Sequence, residues 1–133
     1  MATDYLTVLD PAGAVAPSMR FVLQRHADGL YVCAESSEAC SQCLELAHDA
    51  RPADWIRQWF NRVLPGDLPR IIFAIETAAV SQRPWQVQWS HHVPGQGSQQ
   101  LQLRSGPPET LADGSQRWRC QVLPFFKNPS ETI

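Results

Sequence analysis

Lysine is almost missing from this chain. Lys127 is the only one in 133 residues, and every other basic side chain is an arginine. Arginine offers a planar, bidentate donor fork that lysine lacks, so a basic surface here recognises by geometry as well as by charge. Charge of one sign does not dominate either: 11 basic against 13 acidic residues leave a net −2. That balance gives no global attraction to nucleic acid or to an anionic membrane. No segment approaches the roughly 20 apolar residues that a bilayer span needs. The opening MATDYLTVLD has no basic residue and no apolar run, which predicts no secretory signal and makes the cytoplasm the expected compartment. There is no glycine-rich phosphate loop, no HExxH, no G-x-S-x-G and no internal repeat, so the usual local signatures of nucleotide, zinc-protease and hydrolase chemistry are absent.

What is present is a globular composition, 44% hydrophobic and 18% charged, long enough to bury a core as one domain over residues 1–133. Residues 1–19 hold the apolar piece Tyr5 to Leu9, then a turn signal and a run of small residues, so a short strand or single helical turn plus linker is expected. The polar tail 127–133 is expected to fray. Asp28-Gly29 lies between two β-rich runs and predicts a two-residue hairpin turn that pairs Arg25 with Val32 and Leu23 with Ala34. That register puts Phe21, Leu23, Leu30, Val32 and Ala34 on one face. Val22, Gln24, His26, Tyr31, Cys33 and Glu35 fall on the other.

Ser36 and Ser37 suit the start of a helix over about Glu38 to His48, and Pro52 opens a second helix reaching about Leu64. The run Ile71-Ile72-Phe73-Ala74-Ile75 is apolar on both faces and predicts a central strand over Arg70 to Thr77. Three alternating strands follow, with Trp85, Val87 and Trp89, then Leu101 and Leu103, then Trp118, Cys120 and Val122 pointing inward. The expected class is α+β: a curved antiparallel sheet of about six strands, with a two-helix insertion between an N-terminal hairpin and a C-terminal four-strand meander.

Leu30 to His48 contains three of the four cysteines. Three roles compete for Cys33, Cys40 and Cys43. A zinc site would take them with His26 or His48, since zinc needs four such ligands in a tetrahedron. Cys40-x2-Cys43-x4-His48 resembles the start of a zinc knuckle, although position 53 is Ala where the fourth ligand belongs. A thiol–disulfide centre would use Cys40 and Cys43 at a helix start, where a thiolate is favoured. Strand, loop, Cys-x-x-Cys and helix over Leu30 to Ala47 resemble the order in thioredoxin-like proteins. No aromatic precedes Cys40, however, and the preceding strand closes a hairpin, which is the wrong topology for that family. The third role is packing: Cys40, Cys43, Leu44 and Ala47 recur as one buried helical face, where free cysteine behaves as a small hydrophobe.

Outside the cysteines, Gln86, Gln88, Gln100, Gln102, Arg104, Arg117, Arg119 and Gln121 alternate with the inward tryptophans and share one sheet surface if the last three strands are neighbours. Such a face binds an acidic protein, reads nucleic acid, or is simply solvated. Its lack of aromatics disfavours nucleic acid. Trp55 and Trp59 stand one turn apart on the second helix and either close the core or form a stripe for a partner. His91 is expected inward and His92 outward. Glu76, on the predicted strand, is the most isolated acid; if buried, its pKa would rise and it would suit a base, and otherwise it sits where the strand emerges or pairs with an arginine.

No arrangement of residues specifies an enzyme. The leading expectation is a small soluble accessory or regulatory protein that binds another macromolecule, with a protein partner, no nucleic acid, no membrane, and a homodimer as a further option. Its surfaces would be Gln86, Gln88, Gln102, Arg104, Arg117 and Arg119 with Trp55 and Trp59, and no cofactor is expected. The alternative is a cysteine-dependent domain, zinc-bound or thiol-redox, built on His26, Cys33, Cys40 and Cys43. A third expectation is a small-ligand domain formed by a curved, aromatic-lined sheet, which calls for an enclosed apolar cavity.

Overall fold

The computed structural model of the protein describes residues 8–9, 15–16 and 19–124; the 127–133 tail lies outside the described residues. Strands β1 (Val8–Leu9) and β2 (Val15–Ala16) pair with each other as a separate small ladder. The main sheet contains β3 (Arg20–Arg25), β4 (Tyr31–Ser36), β5 (Gln86–Val93), β6 (Gly97–Ser105), the short β7 (Glu109–Thr110) and β8 (Gln116–Pro124). Its order is β4-β3-β8-β6-β5, with β7 beside β8, and every pairing is antiparallel. The helices α1 (Glu38–Leu44), α2 (Pro52–Arg62) and α3 (Leu68–Ser81) all lie between β4 and β5 in the chain. The α+β class and the six antiparallel strands are therefore as expected; the insertion has three helices rather than two.

The extra helix replaces the predicted strand at Arg70 to Thr77. A short apolar run does not distinguish strand from helix by itself. Here the full run from Leu68 has a helical period, with Ile71, Ile75 and Ala78 buried and Phe73, Thr77 and Val80 exposed. Pro69 sits in the first turn, where its missing N–H costs nothing. Asp67 precedes the helix, and its carboxylate accepts from the Ser90 N–H at 2.8 Å and from Arg70 at 3.2 Å.

The β3–β4 hairpin pairs Arg25 with Tyr31 and Leu23 with Cys33, one residue away from the expected register. A two-residue type I′ turn needs positive φ at both central positions. Gly29 has φ +92°, but Asp28 does not join it in that region. Instead the Gly29 N–H closes a turn on the His26 carbonyl at 2.8 Å, and Asp28 accepts from the Leu30 N–H at 3.0 Å. The result is a three-residue loop with glycine as its left-handed exit. A one-residue slip inverts every side chain of the second strand. Cys33 therefore points into the core at 6% exposure, whereas Leu30 is 52% exposed. A bulge between Val22 and Leu23 restores the other register toward Ser36.

Helix α1 is capped by Ser37, whose Oγ accepts from the Cys40 N–H at 3.2 Å. It stops at Leu44, earlier than expected, because Glu45 turns left-handed (φ 59°) and Leu46 N–H returns to the Ser41 carbonyl. The core lies between the helices and the sheet's inner face. Phe21 meets Trp55 at 4.9 Å and Trp59 at 5.4 Å, and Trp59 meets Trp89 at 5.6 Å between ring centroids. Aromatic edge and offset contacts of this kind add to the apolar burial.

Candidate functional site

The cysteines do not form a site. Cys33, Cys40 and Cys120 are buried in the core, Cys43 is half-buried, and all four are free thiols. The slipped hairpin does bring Cys33 to the face on which α1 packs, so Cys33 and Cys40 share one core cluster. Burial pushes the Cys33 thiol up to about 12 and raises Cys40, Cys43 and Cys120 as well. A thiol held in its protonated form is a poor nucleophile at neutral pH. His26 stands at the far end of the hairpin, its Nδ1 3.3 Å from Ser115 Oγ, and His48 Nδ1 pairs with Ser41 Oγ at 3.0 Å. No group of three His, Cys, Asp or Glu able to hold a metal occurs among the described residues. Among the described residues, His26, Cys33, Cys40 and Cys43 are not brought together as a four-ligand set.

Trp55 and Trp59 are also corrected as partner contacts. They are 1% and 0% exposed because the helical stripe they belong to faces Phe21 and Trp89. Trp55 Nε1–H donates to Ser41 Oγ at 3.2 Å, while Trp59 Nε1–H has no acceptor among the described residues. His91 points inward as expected, with Nε2 2.9 Å from the Leu44 carbonyl and Nδ1 3.2 Å from Trp89 Nε1.

Glu76 projects from α3, not from a strand, toward the hairpin, and of its expected roles it takes the pairing with an arginine. Arg25 grips it through two bonds of 2.8 and 2.9 Å, and the Tyr31 hydroxyl donates to the same carboxylate. The Arg25 hydrogen bond holds the Glu76 carboxyl below the usual carboxylate range. A carboxylate so satisfied is a tie between α3 and the sheet, not a base.

The Gln/Arg residues do meet on one surface. In the β5–β6 ladder Gln86 faces Arg104, Gln88 faces Gln102 and Ser90 faces Gln100. In β6–β8 Arg104 faces Gln121, and on the other side of β8 Gln121 faces Arg20, Arg119 faces Val22, and Arg117 faces Gln24. Arg117 is bonded to Gln24 Oε1 at 2.6 Å. Arg104 and Arg119 are exposed, whereas Gln121 is only 5% exposed and its Nε2 has no acceptor among the described residues.

A groove of about 540 Å³ runs between α3 and β5. Its floor is apolar, from Ala74, Ala78, Trp85 and Val87, and Phe73, Arg70, Arg83 and Thr77 stand along its helical side. Gln86, Gln88 and Gln102 close it on the sheet side. Trp85 is 6% exposed, and its Nε1–H has no acceptor among the described residues. Arg70 is engaged by Asp67 and by the Gln88 carbonyl at 2.5 Å. Sequence reasoning missed the helical wall of this groove because it read α3 as a strand. The signal that would have found it is Pro69 followed by Ile71, Ile75 and Ala78 at helical spacing.

No protein-family model and no curated protein matches this chain. Solved structures do match it in shape. An RNA-binding light-oxygen-voltage receptor superposes with a TM-score of 0.60 at 13% identity over 86% of this chain, which spans 32% of that receptor. A light-oxygen-voltage domain studied with a flavin analogue gives 0.61 at 9% identity, covering 86% of this chain and 82% of that one. The N-terminal domain of a diguanylate cyclase with a PAS/PAC sensor, from Marinobacter aquaeolei, gives 0.60 at 6% identity, covering 79% and 94%. With an open antiparallel sheet and its helices gathered into one insertion, the chain has the fold of these PAS and light-oxygen-voltage sensor domains.

Proposed function

We propose that this chain is the sensing part of a regulatory system and that it takes a small ligand in the groove between α3 and β5. The observation that carries this is Trp85: a nearly buried indole that lines the apolar groove, its N–H without an acceptor among the described residues. The fold supports the reading, since sensors share it. The aromatic packing around Phe21, Trp59 and Trp89 occupies the space between α2 and the sheet, so the groove, not the centre, is where a ligand fits. Arg83 at its edge has no acid or acceptor on its guanidinium among the described residues, which favours ligands with an apolar body and an anionic end.

The test is an indole N–H NMR titration of the full chain with a panel of aryl and alkyl carboxylates. A binding ligand shifts the Trp85 indole resonance, and Thr77→Trp, which fills the groove from its exposed side, abolishes the shift. A ligand that binds Thr77→Trp as well as wild type refutes the site.

A second reading concerns output: the chain contacts another macromolecule through the Gln/Arg sheet face. The lateral alignment of Arg20, Gln121 and Arg104 favours it.

A further inference from the structure

We infer that the outer sheet face binds an acidic protein segment, centred on Gln121. This rests on the second reading above and is independent of the groove. Gln121 lies on the central strand β8, with Arg20 opposite it on β3 and Arg104 opposite it on β6. Arg119 is two residues away on β8 and therefore on the same face. Adjacent strands are about 4.8 Å apart, and alternate residues on one strand about 6.7 Å. Three arginines thus flank Gln121 on one face. All three arginines are exposed, and none has an acid or acceptor on its side chain among the described residues. The acids on this face sit toward its margins: Glu109 opposite Arg117, and Glu35 opposite Val22.

The chemistry favours carboxylates. Guanidinium groups pair with them bidentately. An extended acidic segment carries alternate side chains at about 6.7 Å, a spacing close to that of the arginines. Nucleic acid fits less well, because every tryptophan of the sheet points to the opposite face and single-strand readers stack bases on aromatic rings. The net −2 of the whole chain makes this basic centre a local feature that selects a local acidic sequence, not a general polyanion surface.

The test measures binding of the full chain to a fluorescein-labelled oligoglutamate peptide by anisotropy, beside an oligoglutamine peptide and a single-stranded RNA of matched charge. Oligoglutamate binds, oligoglutamine does not, and RNA binds more weakly. Arg104→Glu and Arg119→Glu each lower oligoglutamate affinity about tenfold, whereas Arg57→Glu on α2 leaves it within about twofold. Circular dichroism establishes that each variant is folded. Equal binding by wild type and both reversals overturns the proposal, as does oligoglutamine binding as tightly as oligoglutamate. If RNA binds more tightly and the reversals abolish that binding, the acidic occupant is overturned while the face remains a partner surface. If no probe responds to either reversal, both the occupant and the surface fall.

Discussion

Replacing His91 with Phe tests whether the centre of the core is held by a polar relay. His91 is completely buried and is contacted by a donor on one nitrogen and an acceptor on the other. An indole N–H only donates and a carbonyl only accepts, so the ring is the neutral tautomer protonated on Nε2. His91→Phe leaves both the Trp89 N–H and the Leu44 carbonyl unpaired. At about 1–3 kcal/mol for each stranded group, the loss is about 2–6 kcal/mol. The wild type should also respond to acid. Burial lowers the His91 pKa below 6.5, the nearby Arg62 and His92 reinforce this, and the Leu44 carbonyl and Glu45 oppose it. The unfolded chain therefore takes up the proton first as pH falls. Stability from this site is full above about pH 6.5 and declines below it until the folded ring itself protonates. Between pH 7.5 and 5.5 the decline is at most about 1.4 kcal/mol. Urea unfolding of both proteins at those two pH values separates the effects: the gap between wild type and His91→Phe is widest at pH 7.5 and narrows at pH 5.5. A constant gap, or a variant as stable as wild type, would refute the relay.

Two other perturbations read the interior. Trp55→Phe removes a hydrogen bond to Ser41, whereas Trp59→Phe removes an N–H that has no acceptor. The two lose similar ring volume, so Trp55→Phe should be the more destabilising by about 1 kcal/mol in urea unfolding; the reverse order would show that Trp59 has a partner. The thiols should alkylate in the order of their accessibility. In the native state at neutral pH, iodoacetamide should modify Cys43 first and leave Cys40 and Cys120 intact, as peptide mass spectrometry would reveal. Labelling of Cys40 or Cys120 at the rate of Cys43 would contradict the buried, protonated thiols.

Strand alternation was readable where one face is wet. Trp85 to Trp89, Leu101 to Leu103 and Trp118 to Val122 all point as their polarity dictates, and those registers alone place the Gln/Arg face. The hairpin was harder. Asp28-Gly29 fixes a turn but not its type, and only the type decides whether Cys33 or Val32 faces the core. The helix at Ile71 was harder still, because five apolar residues satisfy either period and the deciding positions, Phe73 and Val80, are apolar yet exposed at 72% and 87%. Half of the groove went unread for that reason. The cysteine spacing by itself left three roles open; the helical period of Cys40, Cys43 and Leu44 already pointed to packing, and Cys40 and Leu44 lie in the core with Cys43 packed against it.

The connection from α2 to α3 has one more effect. β5 is an edge strand, and an open edge offers its backbone to any passing strand. Here the Ser90 carbonyl already takes the Leu64 N–H at 3.0 Å, the Ser90 N–H is bonded to Asp67, and the Gln88 carbonyl is bonded to Arg70. The stretch from Gln88 to Ser90 therefore has little left to offer another chain. The loop that shapes one end of the groove also guards the protein against strand-by-strand aggregation, and weakening Asp67 or Arg70 should lower solubility before it lowers stability.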